Sequence, residues 1–292
     1  MSPSPHPQGE TPVTRPRVVA TDLDGTFVRS DGTVSERTHA VVRRLGDVGV
    51  HVVLVTARPP RWLPSLADLA GEHGTAVILN GAAVYEFPTG TLEQVHGFER
   101  TAAAALVDDL RAAIPGVVFV LERVDGPVYD PGFVSTHPVP VDARSVDVAT
   151  TLRASGDPRD AGPGAVVGKI LARHDGLGHD ELYARVADVV GDRAILAYSG
   201  AHALAELSAP GVTKAAGLAR WCATHGVAAA DVWAFGDMPN DVPMLAWAGH
   251  GVAVANAHPT VLAAADARTA SNDDDGVATY LEQLLDGRRP AG

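Results

Sequence analysis

"VVATDLDGTFV", residues 18–28, runs as an apolar β-branched stretch into two carboxylates and a glycine. Val18 to Asp22 reads as a buried strand. Residues i and i+2 of a strand face the same way, so Asp22 and Asp24 emerge on one side where the strand runs out. Gly25 lets the chain turn away with dihedrals other residues resist. Two like charges so close repel each other, and a bound cation is the obvious candidate to offset that cost. In open parallel sheets, ligands bind just beyond the carboxyl ends of the strands. D-x-D-G is also common as a plain polar turn. It is not an EF-hand loop here, because Phe27 occupies the sixth position, where that loop needs glycine.

Outward from this strand, short aliphatic runs alternate with amphipathic ones, the pattern of a parallel sheet flanked by helices. Ser35 can cap a helix reaching about Val48, with Thr38, Val41, Val42 and Leu45 on one face. "VHVVLVTA" (50–57) is a second strand, Pro59 and Pro60 open a helix toward His73, and "AVILN" (76–80) is a third strand. After residue 86 the texture changes. Strand-like "GVVFVLE" and "AVVGKILAR" flank helical stretches near 100–114 and 178–190, with a Pro-, Gly- and Asp-rich segment at about 124–164. The first texture resumes after about 200, with a helix from Lys214, the strand "DVWAFG" (231–236), a helix from Asn240 and "GVAVAN" (251–256). Residues 17–86 and 201–292 therefore read as one α/β domain interrupted by an inserted α+β module, 87–200. Residues 1–16, polar and proline-rich, read as a disordered tail.

The chain has 292 residues, 46% of them hydrophobic, enough for a large core and two domains. Its 35 acids against 23 Lys and Arg leave a net charge of −12. That balance argues against nucleic-acid or anionic-membrane binding, which need a basic surface, but not against a small anionic substrate. The single cysteine, Cys222, reads as a small core residue of an alanine-rich helix; it excludes an internal disulfide and fits a reducing cytoplasm. No apolar run reaches membrane-spanning length.

A second acidic strand end is "AFGDMPNDVPML" (234–245), where Asp237 follows the strand and Asn240 and Asp241 open a helix. Asn240 can be a helix cap and Asp241 a first-turn acid favoured by the helix dipole. The same acids can also converge with Asp22 and Asp24 around one hard cation, for which oxygen ligands suit Mg²⁺. Thr56 ends the second strand and Lys214 opens a helix; each alone reads as solvated surface. What gives them weight is the order: acid pair, threonine, lysine, acid cluster.

In that order the sequence resembles the haloacid dehalogenase superfamily phosphatases of the Cof-type branch. "DLDGT" is similar to the first family motif, "LVTAR" to the second, "GVTKAAGL" to the third and "GDMPND" to the fourth, while "ILNGA" (78–82) and "GVAVANA" (251–257) match stretches typical of the branch. Ala57 stands where the branch usually has glycine, and Met238-Pro239 replaces a pair that usually contains one. The resemblance implies a Rossmann-like core with an inserted α+β cap, and a Mg²⁺-dependent phosphatase acting on a small phosphorylated metabolite. It makes Asp22 the nucleophile that forms an aspartyl-phosphate, and Asp24 the acid and base. It assigns the metal to the Asp22 carboxylate, the Asp24 carbonyl, Asp237 and Asp241, the last directly or through water. Thr56, Ala57, Lys214 and Asn240 would hold or arrange the phosphoryl oxygens.

A phosphomutase or phosphotransferase would use the same aspartyl-phosphate and differ in the acceptor. A signalling receiver would carry its phospho-accepting aspartate on the third strand, which here ends in Asn80. A non-catalytic binding protein has no need of Asp22, Asp24, Lys214 and Asp237 together. The substrate and oligomeric state are not legible: His137, Arg144, Lys169 and Arg173 are polar candidates in the insert, each expected at the surface.

Overall fold

The computed structural model describes residues 15–70, 74–135, 138–140, 143–154, 165–197 and 204–288; the expected tail therefore lies almost wholly outside the described residues. The first strand, β1 (Val18–Thr21), is buried along its whole length. Helix α1 (Glu36–Asp47) follows, capped by Ser35 accepting from the Thr38 amide, with Thr38, Val41, Val42 and Leu45 on its buried face as the apolar spacing requires. Strand β2 (His51–Val55) comes next. The helix expected toward His73 is instead two 3₁₀ turns, Pro60–Trp62 and Pro64–Leu66, and a single α turn, α2 (Ala67–Ala70). Pro64 explains the interruption, since it donates no amide and its ring opposes a preceding helical turn. Strand β3 (Thr75–Ile78) then leads through a tight turn into an antiparallel pair, β4 (Ala83–Glu86) and β5 (Thr91–Glu93), which the alternation did not disclose.

The chain next builds a second sheet. Helix α3 (Arg100–Ala113) precedes β6 (Val118–Arg123), β7 (Val128–Tyr129) and β8 (Arg144–Ser145). Then come α4 (Val148–Arg153), β9 (Val167–Arg173), α5 (His179–Val190), β10 (Ile195–Ala197) and β11 (Leu204–Ser208). The strand order is β10-β11-β9-β6-β7-β8, antiparallel except for β7 beside β8. Thus β5 lies beyond residue 86 yet in the first sheet, and β11 lies beyond residue 200 yet in the second. The passages between sheets fall some residues downstream of both changes in sequence texture.

The return to the first sheet runs through α6 (Lys214–Thr224), β12 (Val232–Gly236), α7 (Val242–Trp247), β13 (His250–Ala253), α8 (Pro259–Ala264), β14 (Ala267–Arg268) and α9 (Gly276–Leu285). The eight strands order as β14-β13-β12-β1-β2-β3-β4-β5, parallel from β14 to β3. This is an α/β Rossmann-like core. β1 lies between β12 and β2, so Asp22, Asp237 and Thr56 emerge at the same carboxyl edge. Cys222 is buried in α6, as expected.

The turn after β3 is the most constrained point in this sheet. Leu79 and Asn80 both adopt positive φ, 51° and 57°, which costs side-chain-bearing residues energy. Gly81 follows at φ 102°, and a Cβ there would lie 2.0 Å from the carbonyl oxygen of Thr213. Gly81→Ala should therefore destabilise the protein by about 2–4 kcal/mol in denaturant unfolding. Gly46→Ala, on an exposed stretch of α1 where a Cβ meets nothing, should be neutral or stabilising by up to ~1 kcal/mol. Equal effects at the two positions would contradict the packing described.

Candidate active site

The site begins at the exit of β1. The amide of Asp22 donates to Phe235 O of β12 at 3.0 Å, continuing the parallel ladder one residue past the strand. Leu23 O then accepts the amides of Thr26, Phe27 and Val28, curling the chain into a tight loop. Gly25 lies at φ 83°, and a Cβ there would stand 2.4 Å from Asp237 Oδ2, so only glycine lets this loop close on Asp237. Thr26 Oγ1 donates to Asp237 Oδ1 at 2.8 Å, and Asn256 Nδ2 donates to Gly25 O at 2.7 Å.

Asp22, Asp237 and Asp241 converge, with carboxylate oxygens all within 4.8 Å of one another. Asp241 is fully buried and is not merely a first-turn acid: its Oδ2 accepts the amides of Asp237 and Met238 at 3.1 and 3.0 Å. Its Oδ1 accepts from Lys214 Nζ at 2.6 Å, and the same ammonium donates to Asp22 Oδ1 at 2.5 Å. Lys214 is 3% exposed and Thr56 is buried, so the solvated-surface reading of both is wrong. Each is carried in by an element whose other face packs in the core.

The electrostatics follow from the count of charges. Three carboxylates face one ammonium where water scarcely reaches. Burial pushes the Asp22 carboxyl well above the usual range; Asp241 and Asp237 add to this and Lys214 opposes it. Burial, then Asp241, pushes Asp237 up to about 6. Burial works against the charge on Lys214, but Asp22 and Asp241 outweigh it and raise its pKa. The surplus negative charge, all on hard oxygen ligands, fits a divalent cation.

Asp24 is placed differently. Its side chain is 62% exposed and forms a two-pronged pair with Arg58, Nη2 to Oδ1 at 2.5 Å and Nε to Oδ2 at 2.9 Å. Its carboxylate is thus outside the buried cluster, although both aspartates open on the same cleft. Asn240 lies inside the 3₁₀ turn Pro239–Asp241 rather than at a helix cap, and its Nδ2 donates to Asn80 Oδ1 at 3.4 Å. Thr56 Oγ1 accepts the Arg58 amide at 3.1 Å, which leaves the hydroxyl proton to be donated elsewhere.

The cleft has a volume of about 1180 Å³ and is lined from both sheets, including Ala57, Arg58, Lys214 and Asn240 on one side and Glu122, Tyr129 and Lys169 on the other. Sequence reading missed Arg58, Arg61, Glu122 and Glu206. Arg61 grips Glu122 with two bonds, at 2.5 and 2.7 Å, across the cleft. Arg58 is the last residue of "LVTAR" and Arg61 lies three residues beyond it, the signal that could have found the first two. Lys169, expected at the surface, is 5% exposed; Arg144 and Arg173 are partly buried, and His137 is outside the described residues.

Known proteins resemble this arrangement over nearly the whole chain. A phosphatase of 5-amino-6-(5-phospho-D-ribitylamino)uracil from Bacillus subtilis is 30% identical over 290 residues, covering 93% of this chain and 98% of the relative. A pyridoxal phosphate phosphatase from Escherichia coli is 25% identical, covering 92% and 98%. A solved haloalkanoate-superfamily phosphatase from Bacteroides thetaiotaomicron superposes with a TM-score of 0.77 at 21% identity, covering 96% of this chain and 100% of that one, a likeness of fold. The family model of haloacid dehalogenase-like hydrolases matches residues 19–281. The chain belongs to the haloacid dehalogenase-like hydrolase family.

Proposed function

We propose that this protein is a Mg²⁺-dependent phosphatase of small phosphorylated metabolites that works through an aspartyl-phosphate on Asp22. The observation that carries this reading is the buried Lys214 ammonium joining Asp22 to Asp241 at the floor of a cleft that also holds Asp24. The named activities of the Bacillus and Escherichia relatives, both phosphatases of small metabolites, support the same class.

Asp22 attacks phosphorus, forming an O–P bond as the bond to the ester oxygen breaks. A carboxylate approaching a phosphate dianion meets strong repulsion. Lys214 offsets part of it, and the Thr56 hydroxyl and Ala57 loop hold equatorial oxygens as their charge shifts. Asn240 helps to arrange that corner. Mg²⁺ held by Asp22, Asp237, Asp241 and the Asp24 carbonyl would supply the remaining positive charge. Having taken up a proton from solvent, Asp24 gives it to the departing alkoxide. It then takes one from the water that attacks the aspartyl-phosphate at phosphorus, which breaks the bond between Asp22 oxygen and phosphorus and releases inorganic phosphate. Because Arg58 occupies both Asp24 oxygens, Asp24 exchanges that partner for the ester oxygen or water before it moves a proton; the incoming anionic group offers the guanidinium another acceptor. In this reading residues 17–86 and 201–292 carry the chemistry, and 87–200 form a cap that selects the leaving group.

No helix among the described residues is long and apolar enough to cross a membrane. A cytoplasmic site of action, where free metabolites and Mg²⁺ meet, is part of the same proposal.

Phosphate release from a panel of sugar phosphates, nucleotides and pyridoxal phosphate should require Mg²⁺ and vanish in chelator. Asp22→Asn should lower kcat by about 10³-fold or more; turnover within tenfold of the unmodified protein would remove Asp22 from its role. In chelator, the same substitution should leave Tm unchanged or higher, since it relieves crowding among three carboxylates. Mg²⁺ should raise Tm of the unmodified protein more than that of the variant. An equal rise in both would contradict the metal placement. Asp24→Asn should cost about 10²–10⁴-fold on alkyl phosphates and less on activated aryl phosphates, whose leaving groups need no proton. An equal loss on both classes would assign Asp24 another task.

A further inference from the structure

The loop after β2 is held from two directions. Thr56 O accepts the Asn80 amide at 3.1 Å and Arg58 O accepts the Leu79 amide at 3.2 Å, so both carbonyls are satisfied by the neighbouring turn of the first sheet. The carbonyl between them is not. Ala57 O accepts from Lys169 Nζ at 3.0 Å, and Lys169 belongs to β9 of the second sheet. The other face of the same peptide unit is also gripped, because the Arg58 amide donates to Thr56 Oγ1. Lys169 and the Thr56 hydroxyl oxygen thus hold the two ends of the Ala57–Arg58 peptide unit, its carbonyl and its amide.

Lys169 is itself held. Its Nζ donates to Glu206 Oε2 at 2.8 Å, and Glu206 Oε2 also accepts from Asn80 Nδ2 at 3.3 Å. Asn80 in turn accepts from Asn240. One polar chain thus runs from Ala57 through the second sheet and back to Asn240, joining two corners of the site. Lysine and glutamate are both buried, so the pair holds only because each compensates the other's lost hydration. Arg61 and Glu122 add a second tie between the sheets just beyond the same loop.

We infer that Lys169 is a positioning residue. From the second sheet it sets the peptide that aims the Thr56 hydroxyl at a phosphoryl oxygen, so the loop is correctly formed only when the two sheets are docked. The inference rests on the phosphatase reading for its consequence in turnover, and on geometry alone for its consequence in anion binding. It gives the second sheet a part in the chemistry that is independent of the leaving group.

The test compares the unmodified protein with Lys169→Met and with Lys169→Met combined with Glu206→Gln. The single change strands a buried carboxylate and can fail to fold; the double change removes that charge while still deleting the grip on Ala57. Two quantities are measured with Mg²⁺ present: the affinity for inorganic phosphate by calorimetry, and kcat and KM for acetyl phosphate alongside a bulky sugar phosphate. Acetyl phosphate has too small a leaving group to engage the far wall of the cleft. Phosphate affinity about tenfold weaker, with kcat lowered about 10- to 100-fold on both substrates in parallel, is the expected result. A loss confined to the bulky substrate would make Lys169 a specificity contact and overturn the inference. So would phosphate affinity and kcat both within threefold of the unmodified protein. Should the unmodified protein release phosphate from no ester, the phosphatase reading falls by itself, and the calorimetry still decides the role of Lys169.

Discussion

Everything at this site depends on one buried ammonium. Lys214 lies between Asp22 and Asp241, bonded to both, and each of those residues closes a different part of the structure. The backbone amide of Asp22 continues the β1–β12 ladder, while the Asp241 carboxylate gathers the amides that follow β12. Removing the lysine would leave carboxylates facing one another in a space nearly free of water, a far larger cost than losing a surface ion pair. Even with Lys214 in place the cluster is short of positive charge. That deficit is why it is suited to a divalent cation and to a substrate that arrives together with one.

The cost of this arrangement is distributed over the scaffold. Leu79 and Asn80 take up left-handed backbone, Gly81 accepts the close approach of Thr213, and Gly25 yields space to Asp237. Such strain persists where surrounding packing over-determines it. Here the buried β1, β2, β3 and β12 do so. The second sheet then contributes Lys169, Glu206 and Glu122, polar groups that would be expensive to bury unless paired, and each is paired with a partner lining or supporting the cleft. The two sheets are thus joined by charge and hydrogen bonding at the place where a ligand would enter.

Much of the first sheet was legible because its residues repeat local rules. The apolar runs of β1, β2 and β12 and the spacing of Thr38, Val41, Val42 and Leu45 in α1 have direct structural outcomes. Acids at two strand ends led to the expectation that Asp237 and Asp241 converge with Asp22 and Asp24; the carboxylates of Asp22, Asp237 and Asp241 do, while that of Asp24 lies outside. Three features did not follow. Pro64 interrupts what the sequence pattern suggests is a continuous helix. The burial of Lys169 depends on a partner, Glu206, 37 positions away and on another strand. The pairing of Asp24 with Arg58 depends on where two loops end, which periodicity does not encode. Sequence pattern reports which way a strand residue faces; it does not report what stands opposite.

A covalent phosphoryl group on Asp22 is the most direct signature of the proposed chemistry. Asp24→Asn protein, incubated with Mg²⁺ and a good aryl phosphate and quenched in acid, allows formation of the aspartyl-phosphate while slowing its hydrolysis. Peptide mass spectrometry of the quenched protein should locate one phosphoryl group on the peptide containing Asp22. A protein that turns over the substrate yet carries no phosphoryl group there, or carries it on another residue, would contradict the assignment of Asp22 as nucleophile.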